Sequence, residues 1–319
     1  MSNIAAMNQT SSFSQKCTQL SAVFACIACL MLPVSISGTD IACILSFVTL
    51  LASGQFKKKI QFLSQQPLVW LSLSVYAVVI VGCLWGQVPW HYRGIVLHKY
   101  IKLLYIPFLL LIFRQEKWQK HSINAFILGI SINVVASYAK AAGLLPHWHR
   151  AATEMFIFHI YASYITAFAI YLVGHRLLFT KTNRLLHASL LTLFIGYEFF
   201  INISRAGYLI TLLLFAMLMF QKYDWKKALT IFVVSSAGFI FILHHFSHTF
   251  NNKIQQTSTS FNEYSHVTKD TSWGFRLQFA KFSAGLIKER PLIGHGTGSF
   301  KYLFDKIGHN TIPGWTGSL

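Results

Sequence analysis

Between residues 20 and 246, long apolar runs alternate with short polar breaks that carry most of the lysine and arginine. Nine runs stand out, at 20–37, 41–54, 68–85, 101–113, 123–144, 155–174, 188–203, 206–220 and 228–246. A helix needs about 20 apolar residues to cross the hydrocarbon core of a bilayer. The second and fourth runs fall short of that, so they are expected to tilt or to extend into their flanks. The pattern predicts an all-α fold: a polytopic transmembrane helical bundle of about nine spans over 1–246, followed by a long extracytoplasmic segment over 247–319.

The breaks also set an orientation. With the N-terminus in the cytoplasm, the inner segments hold Lys16, the cluster Lys57, Lys58 and Lys59, then Arg114, Lys117 and Lys120, Arg176, Lys181 and Arg184, and finally Lys222, Lys226 and Lys227. The outer segments and span ends hold Arg93, Lys99, Lys102, Lys140, Arg150 and Arg205, less than half as many. The positive-inside rule favours this arrangement and, with an odd number of spans, places the C-terminal segment outside. Trp85, Trp90, Trp148, Tyr197 and Tyr208 fall near the predicted outer boundary and Trp118 and Trp225 near the inner one, as interfacial aromatics do. A mostly polar stretch precedes the first run and no small-residue cleavage motif follows it, so the first span is expected to be retained.

Composition agrees: 54% of the 319 residues are hydrophobic, 15% aromatic and 11% charged. The net charge of +18 alone would suggest nucleic acid, but the cations are dispersed in separate loops rather than gathered along one groove, so membrane lipids and not nucleic acid are the expected partners. All five cysteines lie in the first third of the chain, in or beside spans. The pair Cys26 and Cys29 lies inside an apolar run without other ligands, which favours small packing residues over a redox or metal pair.

Three features carry candidate chemistry. Arg205 stands in FFINISRAGYLI, between two apolar stretches, where a guanidinium costs a few kcal/mol unless it reaches the interface or finds an anion. Three readings stay open for it: an anion-binding role, a snorkelling side chain, or an ion pair with Glu198, seven residues earlier and two helical turns away on a continuous helix. Within 273–300, Arg276, Phe279, Ala280, Ala284, Leu286 and Ile287 form the mixed face of an amphipathic helix ending before Pro291, with Lys288 and Arg290 near its C-terminus. Gly294, His295, Gly296, Thr297 and Gly298 then form a loop whose alternating glycines let backbone approach a ligand closely, present N–H groups to an anion, or simply make a tight turn. The spacing is neither a dinucleotide fingerprint nor a Walker loop. No metal-ligand spacing and no paired-carboxylate motif is present. With only nine acidic residues, a phosphoryl transferase with D-x-D-type Mg²⁺ ligands is not expected, and no cofactor is implied. The stretch 251–271 reads as a polar linker.

Taken together, Ser204-Arg205-Ala206-Gly207 opening a span, then Arg276, then P-L-I-G-H-G-T-G-S-F over 291–300, resemble the O-antigen ligase and polymerase superfamily of bacterial inner-membrane glycan transferases. Order and intervening topology fit across roughly residues 20 to 305, the first two hundred by hydrophobic pattern alone.

The resemblance implies a metal-independent enzyme that moves a glycan from undecaprenyl pyrophosphate to an acceptor hydroxyl. The acceptor would be lipid A-core, in lipopolysaccharide biosynthesis at the inner membrane. Arg205 and Arg276 would stabilise the pyrophosphate, and Gly294, His295, Gly296, Gly298 and Arg290 would shape the site. His309 would match the histidine of the family's H-N-x-y-L motif. Here His309-Asn310 lacks the aromatic-leucine continuation, and the family continues through further spans, so the expectation is a chain shortened at its C-terminus. The alternatives are an O-antigen polymerase, a protein O-oligosaccharyltransferase, an inactive remnant, or a polytopic lipid or solute transporter.

Overall fold

The computed structural model describes residues 2–145, 155–202, 204–247, 251–252, 255 and 272–311, and of Arg205 and His309 it describes the backbone. Among the described residues every regular element is a helix. In chain order they are α1 (Ser2–Met31), α2 (Ile36–Ala52), α3 (Phe56–Ser64), α4 (Pro67–Val81), α5 (Trp90–Tyr100), a 3₁₀ turn (Ile101–Leu104), α6 (Tyr105–Ile112), α7 (Glu116–Ala141), α8 (His159–Phe179), α9 (Arg184–Gly196), a π-turn (Tyr197–Ile201), α10 (Arg205–Lys222), α11 (Trp225–Phe246), α12 (Ser272–Glu289) and α13 (Ser299–Thr311).

Each of the nine apolar runs falls on a helix. Among the described residues six stretches are long and apolar enough to cross a membrane, or seven if α2 and α3 form one broken span; α4 and α10 are apolar but shorter. The short run at 101–113 does extend into its flank: Trp90–Ile112 is one span candidate. Arg93, Lys99 and Lys102 therefore lie on that helical stretch rather than in a loop. Large apolar side chains also face outward. On α11, Val234 and Phe241 are 66% and 70% exposed, which in water would be a costly face and in lipid is the expected one.

The chain forms two compact units, each from two separate segments. One comprises Met1–Gly54 and Ile112–Ile254 and the other Gln55–Leu111 and Gln255–Leu319. In the first unit, small residues bring helices together. Ser21 on α1 and Ser46 on α2 exchange hydrogen bonds, each hydroxyl donating to the other's carbonyl at 2.8 and 2.7 Å. Gly129 of α7 lies against the Leu30 carbonyl and the Pro33 ring. Lipid supplies no hydrophobic drive for helix association, so such close backbone approach and hydroxyl bonding take its place. The core behind them joins Phe126, Ile130 and Val134 of α7, Ala169, Ile170 and Val173 of α8, and Phe194 of α9.

Tyr197 belongs to that core. It is 1% exposed, so its ring packs inside the bundle rather than standing on the outer surface as an interfacial aromatic would. Trp90 and Trp225 are exposed, as interfacial aromatics would be, while Trp148 lies outside the described residues, as does most of the polar linker at 251–271. All five cysteines carry free thiols.

In the second unit, Pro67 opens α4 at a position where its missing N–H costs nothing. α12 stops at Glu289, just before the Arg290-Pro291 pair, as the proline predicts. Its shielded face is Phe279, Phe282 and Leu286, whereas Arg276, Ala280, Ala284 and Ile287 are exposed. The amphipathic helix is therefore present, with a narrower apolar stripe than the mixed face read from sequence.

Candidate active site

In the first unit the S-R-A-G motif is a break between two helices. α9 runs into the π-turn, where the Asn202 N–H donates to the Tyr197 carbonyl at 2.9 Å, five residues back. The chain then extends through Asn202 (φ −71°, ψ 137°) and Ser204 (φ −85°, ψ 110°) before α10 starts at Arg205. Wide turns of this kind recur at functional sites. The break also removes the premise that Glu198 and Arg205 share one helical face, because no continuous helix joins them.

Glu198 is instead the centre of a buried polar knot. Its carboxylate is 0% exposed, and it accepts from the Ser163 hydroxyl of α8 and from the Asn202 side-chain amide at 3.3 Å. Asn202 passes the connection on: its side-chain oxygen accepts the Ser204 N–H at 3.3 Å, and its carbonyl accepts the Tyr208 hydroxyl at 3.1 Å. Ser247 donates to the Phe199 carbonyl at 2.9 Å, and Phe199 stacks on Tyr208 with centroids 5.0 Å apart. A polar group in an apolar bundle must be hydrogen-bonded or it destabilises the fold, and this arrangement meets that demand. Gly207 makes it possible, because a Cβ there would overlap both Ser163 Oγ and Glu198 Oε1. The glycine of the motif is thus explained by packing against a residue outside the motif.

The break has an electrostatic consequence. Arg205 is the first residue of α10, where backbone N–H groups lack helical partners and the helix dipole is positive. A cation there is disfavoured by about 0.3–1 kcal/mol, whereas an anion would be held by amides and guanidinium together.

In the second unit, Gly294, Gly296 and Gly298 all adopt positive φ (62°, 87° and 86°). The close approaches they permit are to the chain's own backbone. A Cβ on Gly296 would lie 2.5 Å from Gly86 Cα, and one on Gly298 would lie 2.9 Å from the Tyr92 carbonyl carbon and oxygen. Between them the Thr297 N–H donates to the Gly82 carbonyl at 2.9 Å, and its hydroxyl to the Val79 carbonyl at 2.7 Å. Trp85 Nε1 donates to the Ile293 carbonyl at 3.0 Å. The loop is therefore laid onto the turn between α4 and α5.

That turn is itself braced by Arg93. Its guanidinium donates to the Cys83 carbonyl at 2.9 Å and to the Gly86 carbonyl, and stacks on Trp90 at 4.7 Å. His295 joins the loop to the end of α12: its Nε2 lies 3.1 Å from the Leu286 carbonyl and 3.3 Å from a Glu289 carboxylate oxygen. Beyond the loop, Phe300 and Phe304 of α13 meet Phe279 and Phe282 of α12 edge to face, with centroids 4.9 to 6.3 Å apart.

Of the residues singled out from sequence, Arg276, Arg290, the glycine loop with His295, and His309 share this second unit. Arg276 and Arg290 are exposed, and His309 lies in the last turn of α13. Arg205 belongs to the first unit. Sequence reasoning missed Ser163, Asn202, Gly82, Gly86 and Arg93. The only available signal was the pair of polar residues, Asn202 and Ser204, inside an otherwise apolar stretch. Among the described residues no three His, Cys, Asp or Glu side chains gather into a metal-binding group.

A polytopic helical membrane protein with an arginine at a span break and a glycine loop defines the class. Residues 188–318 match the family model for O-antigen ligase, a stretch that contains Arg205, Arg276, the loop and His309. Over this stretch the chain is similar to the O-antigen ligase family, which supports a membrane glycosyltransferase of that general type. No curated protein and no solved structure matches it.

Proposed function

We propose that the protein transfers a glycan from undecaprenyl pyrophosphate to a hydroxyl of lipid A-core, the ligation step of lipopolysaccharide assembly. It does so at the outer face of a bacterial inner membrane, with its N-terminus in the cytoplasm. In the reaction the acceptor oxygen bonds to the anomeric carbon of the glycan as the bond from that carbon to the pyrophosphate oxygen breaks. The acceptor proton is released, with His309 as its first recipient, and undecaprenyl pyrophosphate leaves carrying one additional negative charge.

Arg205 and Arg276 stabilise that charge. Guanidinium groups are permanently charged, planar and suited to bidentate contact with phosphate oxygens. They act without a divalent metal. The observation that carries this reading is Arg205 at the first position of α10, a placement that is unfavourable for a lone cation and favourable once an anion binds. The 294–298 loop and Arg290 contribute the shape of the donor site rather than a bare anion nest, since Gly294, Thr297 and Ser299 already donate their N–H groups to carbonyls of the chain.

The test is expression in a bacterium deleted for its own O-antigen ligase, with lipopolysaccharide resolved by gel and carrier-linked glycan quantified. Restored long-chain lipopolysaccharide, lost in Arg205→Ala and Arg276→Ala, supports ligation. Longer carrier-linked glycan without ligation identifies a polymerase, and glycosylated protein identifies a protein O-oligosaccharyltransferase. Undiminished transfer in both arginine variants overturns the proposal.

A further inference from the structure

The first unit contains an ionisable side chain that the reaction above does not use. Glu198 is fully buried in an apolar bundle, seven residues before the arginine of the motif, and an ionisable residue in such a place is by default a functional candidate. Its contacts form one connected path. The Ser163 hydroxyl of α8 donates to Glu198 Oε1, Asn202 Nδ2 donates to Glu198 Oε2 at 3.3 Å, and Asn202 Oδ1 accepts the Ser204 N–H at 3.3 Å. Ser163, Glu198, Asn202 and Ser204 are all at most 4% exposed.

The path ends on the backbone of the residue preceding Arg205. Ser204 has no side-chain capping bond to the first turn of α10, so the Asn202 side chain substitutes for a cap in fixing where that helix begins. Asn202 follows Glu198 by four residues, the spacing at which side chains on one helical face meet.

We infer that Glu198 is a positioning residue: through Asn202 it sets the backbone at Ser204 and so the point from which Arg205 reaches its anion. The inference rests on the donor-binding role proposed for Arg205 and adds a residue that itself never touches donor. It differs from a direct Glu198–Arg205 ion pair, because what matters is hydrogen-bonding capacity and not charge. A glutamine at position 198 can keep the path, accepting from Asn202 through its oxygen and donating to Ser163 Oγ through its amide. Alanine cannot.

The experiment measures binding of undecaprenyl pyrophosphate to the detergent-purified full chain, together with thermal unfolding, for wild type, Glu198→Gln, Glu198→Ala, Arg205→Ala and the double variant Glu198→Ala/Arg205→Ala. Glu198→Gln is expected within about threefold of wild-type affinity, and Glu198→Ala to be weakened by about tenfold or more, the scale on which a displaced group loses its contact. In the double variant the Glu198→Ala effect should vanish, because it acts through the arginine.

Several results overturn the inference. An additive double variant makes Glu198 merely structural, a Glu198→Gln as weak as Glu198→Ala makes the charge itself the agent, and wild-type affinity in Glu198→Ala removes any role. If Glu198→Ala does not fold, Asn202→Ala and Ser163→Ala replace it in the same cycle with the same criteria. Arg205→Ala binding as well as wild type would instead defeat the donor-site reading, a separate failure.

Discussion

Thr297 is fastened to Gly82 by its backbone amide, which donates to the Gly82 carbonyl at 2.9 Å, and a Cβ on Gly82 would lie 2.5 Å from the threonine hydroxyl oxygen. The pairing assigns the three loop glycines different tasks, and their alanine variants should separate accordingly. Gly296→Ala meets the Gly86 backbone at a φ of 87° and should cost about 2–4 kcal/mol through strain and overlap together. Gly294→Ala has nothing within 4 Å and should cost only the left-handed backbone penalty, about 1–2 kcal/mol. Thermal unfolding of the purified variants checks the order. Equal losses would mean that contact with the α4–α5 turn is unimportant.

The hydroxyl of Thr297 makes a separable contribution. Thr297→Val keeps the branched shape but leaves the Val79 carbonyl without this donor, and should destabilise by about 1 kcal/mol. Thr297→Ser, which retains the donor, should recover most of that loss.

Gly207→Ala should be among the most damaging single-methyl additions in the chain. The new Cβ overlaps Glu198 and Ser163, both fully buried, so α10 must move or the polar knot must break. The expected cost is about 2–4 kcal/mol, from overpacking plus an unsatisfied buried polar group. The level of correctly inserted protein and its unfolding temperature are the readouts. Gly238→Ala, where nothing lies within 4 Å, serves as the control and should be near neutral.

Phe304 is 0% exposed at the centre of the aromatic cluster between α12 and α13. Phe304→Ala should cost about 3–5 kcal/mol and should raise protease sensitivity first near 272–311, because its edge-to-face contacts with Phe279 and Phe282 tie the two helices together. Phe304→Leu should retain a large part of that stability.

Much of this was legible in advance. Each apolar run became a helix, the short run at 101–113 extended upstream as its length demanded, and Pro291 ended α12 where the backbone rule places the stop. The division between the runs 188–203 and 206–220 was legible, and α10 starts at Arg205 as the span-opening motif predicts. The π-turn before it was not, because nothing in a linear pattern distinguishes it from one more turn of α-helix. The glycine loop was recognisable as a tight turn, but its partners Gly82, Gly86 and Tyr92 lie some two hundred residues earlier, a pairing set by tertiary contacts. Arg93 counted in the sequence as one more outer cation, yet its hydrogen bonds make it a brace for that pairing.

Arg205 and Arg276 are proposed each to bind the diphosphate of the donor. The most direct measurement is the affinity of the purified chain for undecaprenyl pyrophosphate with Arg205→Ala, with Arg276→Ala, and with undecaprenol as the ligand lacking phosphate. Each substitution is predicted to weaken pyrophosphate binding by about tenfold or more, the scale of a lost charge-assisted hydrogen bond, and to leave undecaprenol binding unchanged. Pyrophosphate binding at wild-type strength in either variant would rule out a phosphate-binding role for that arginine.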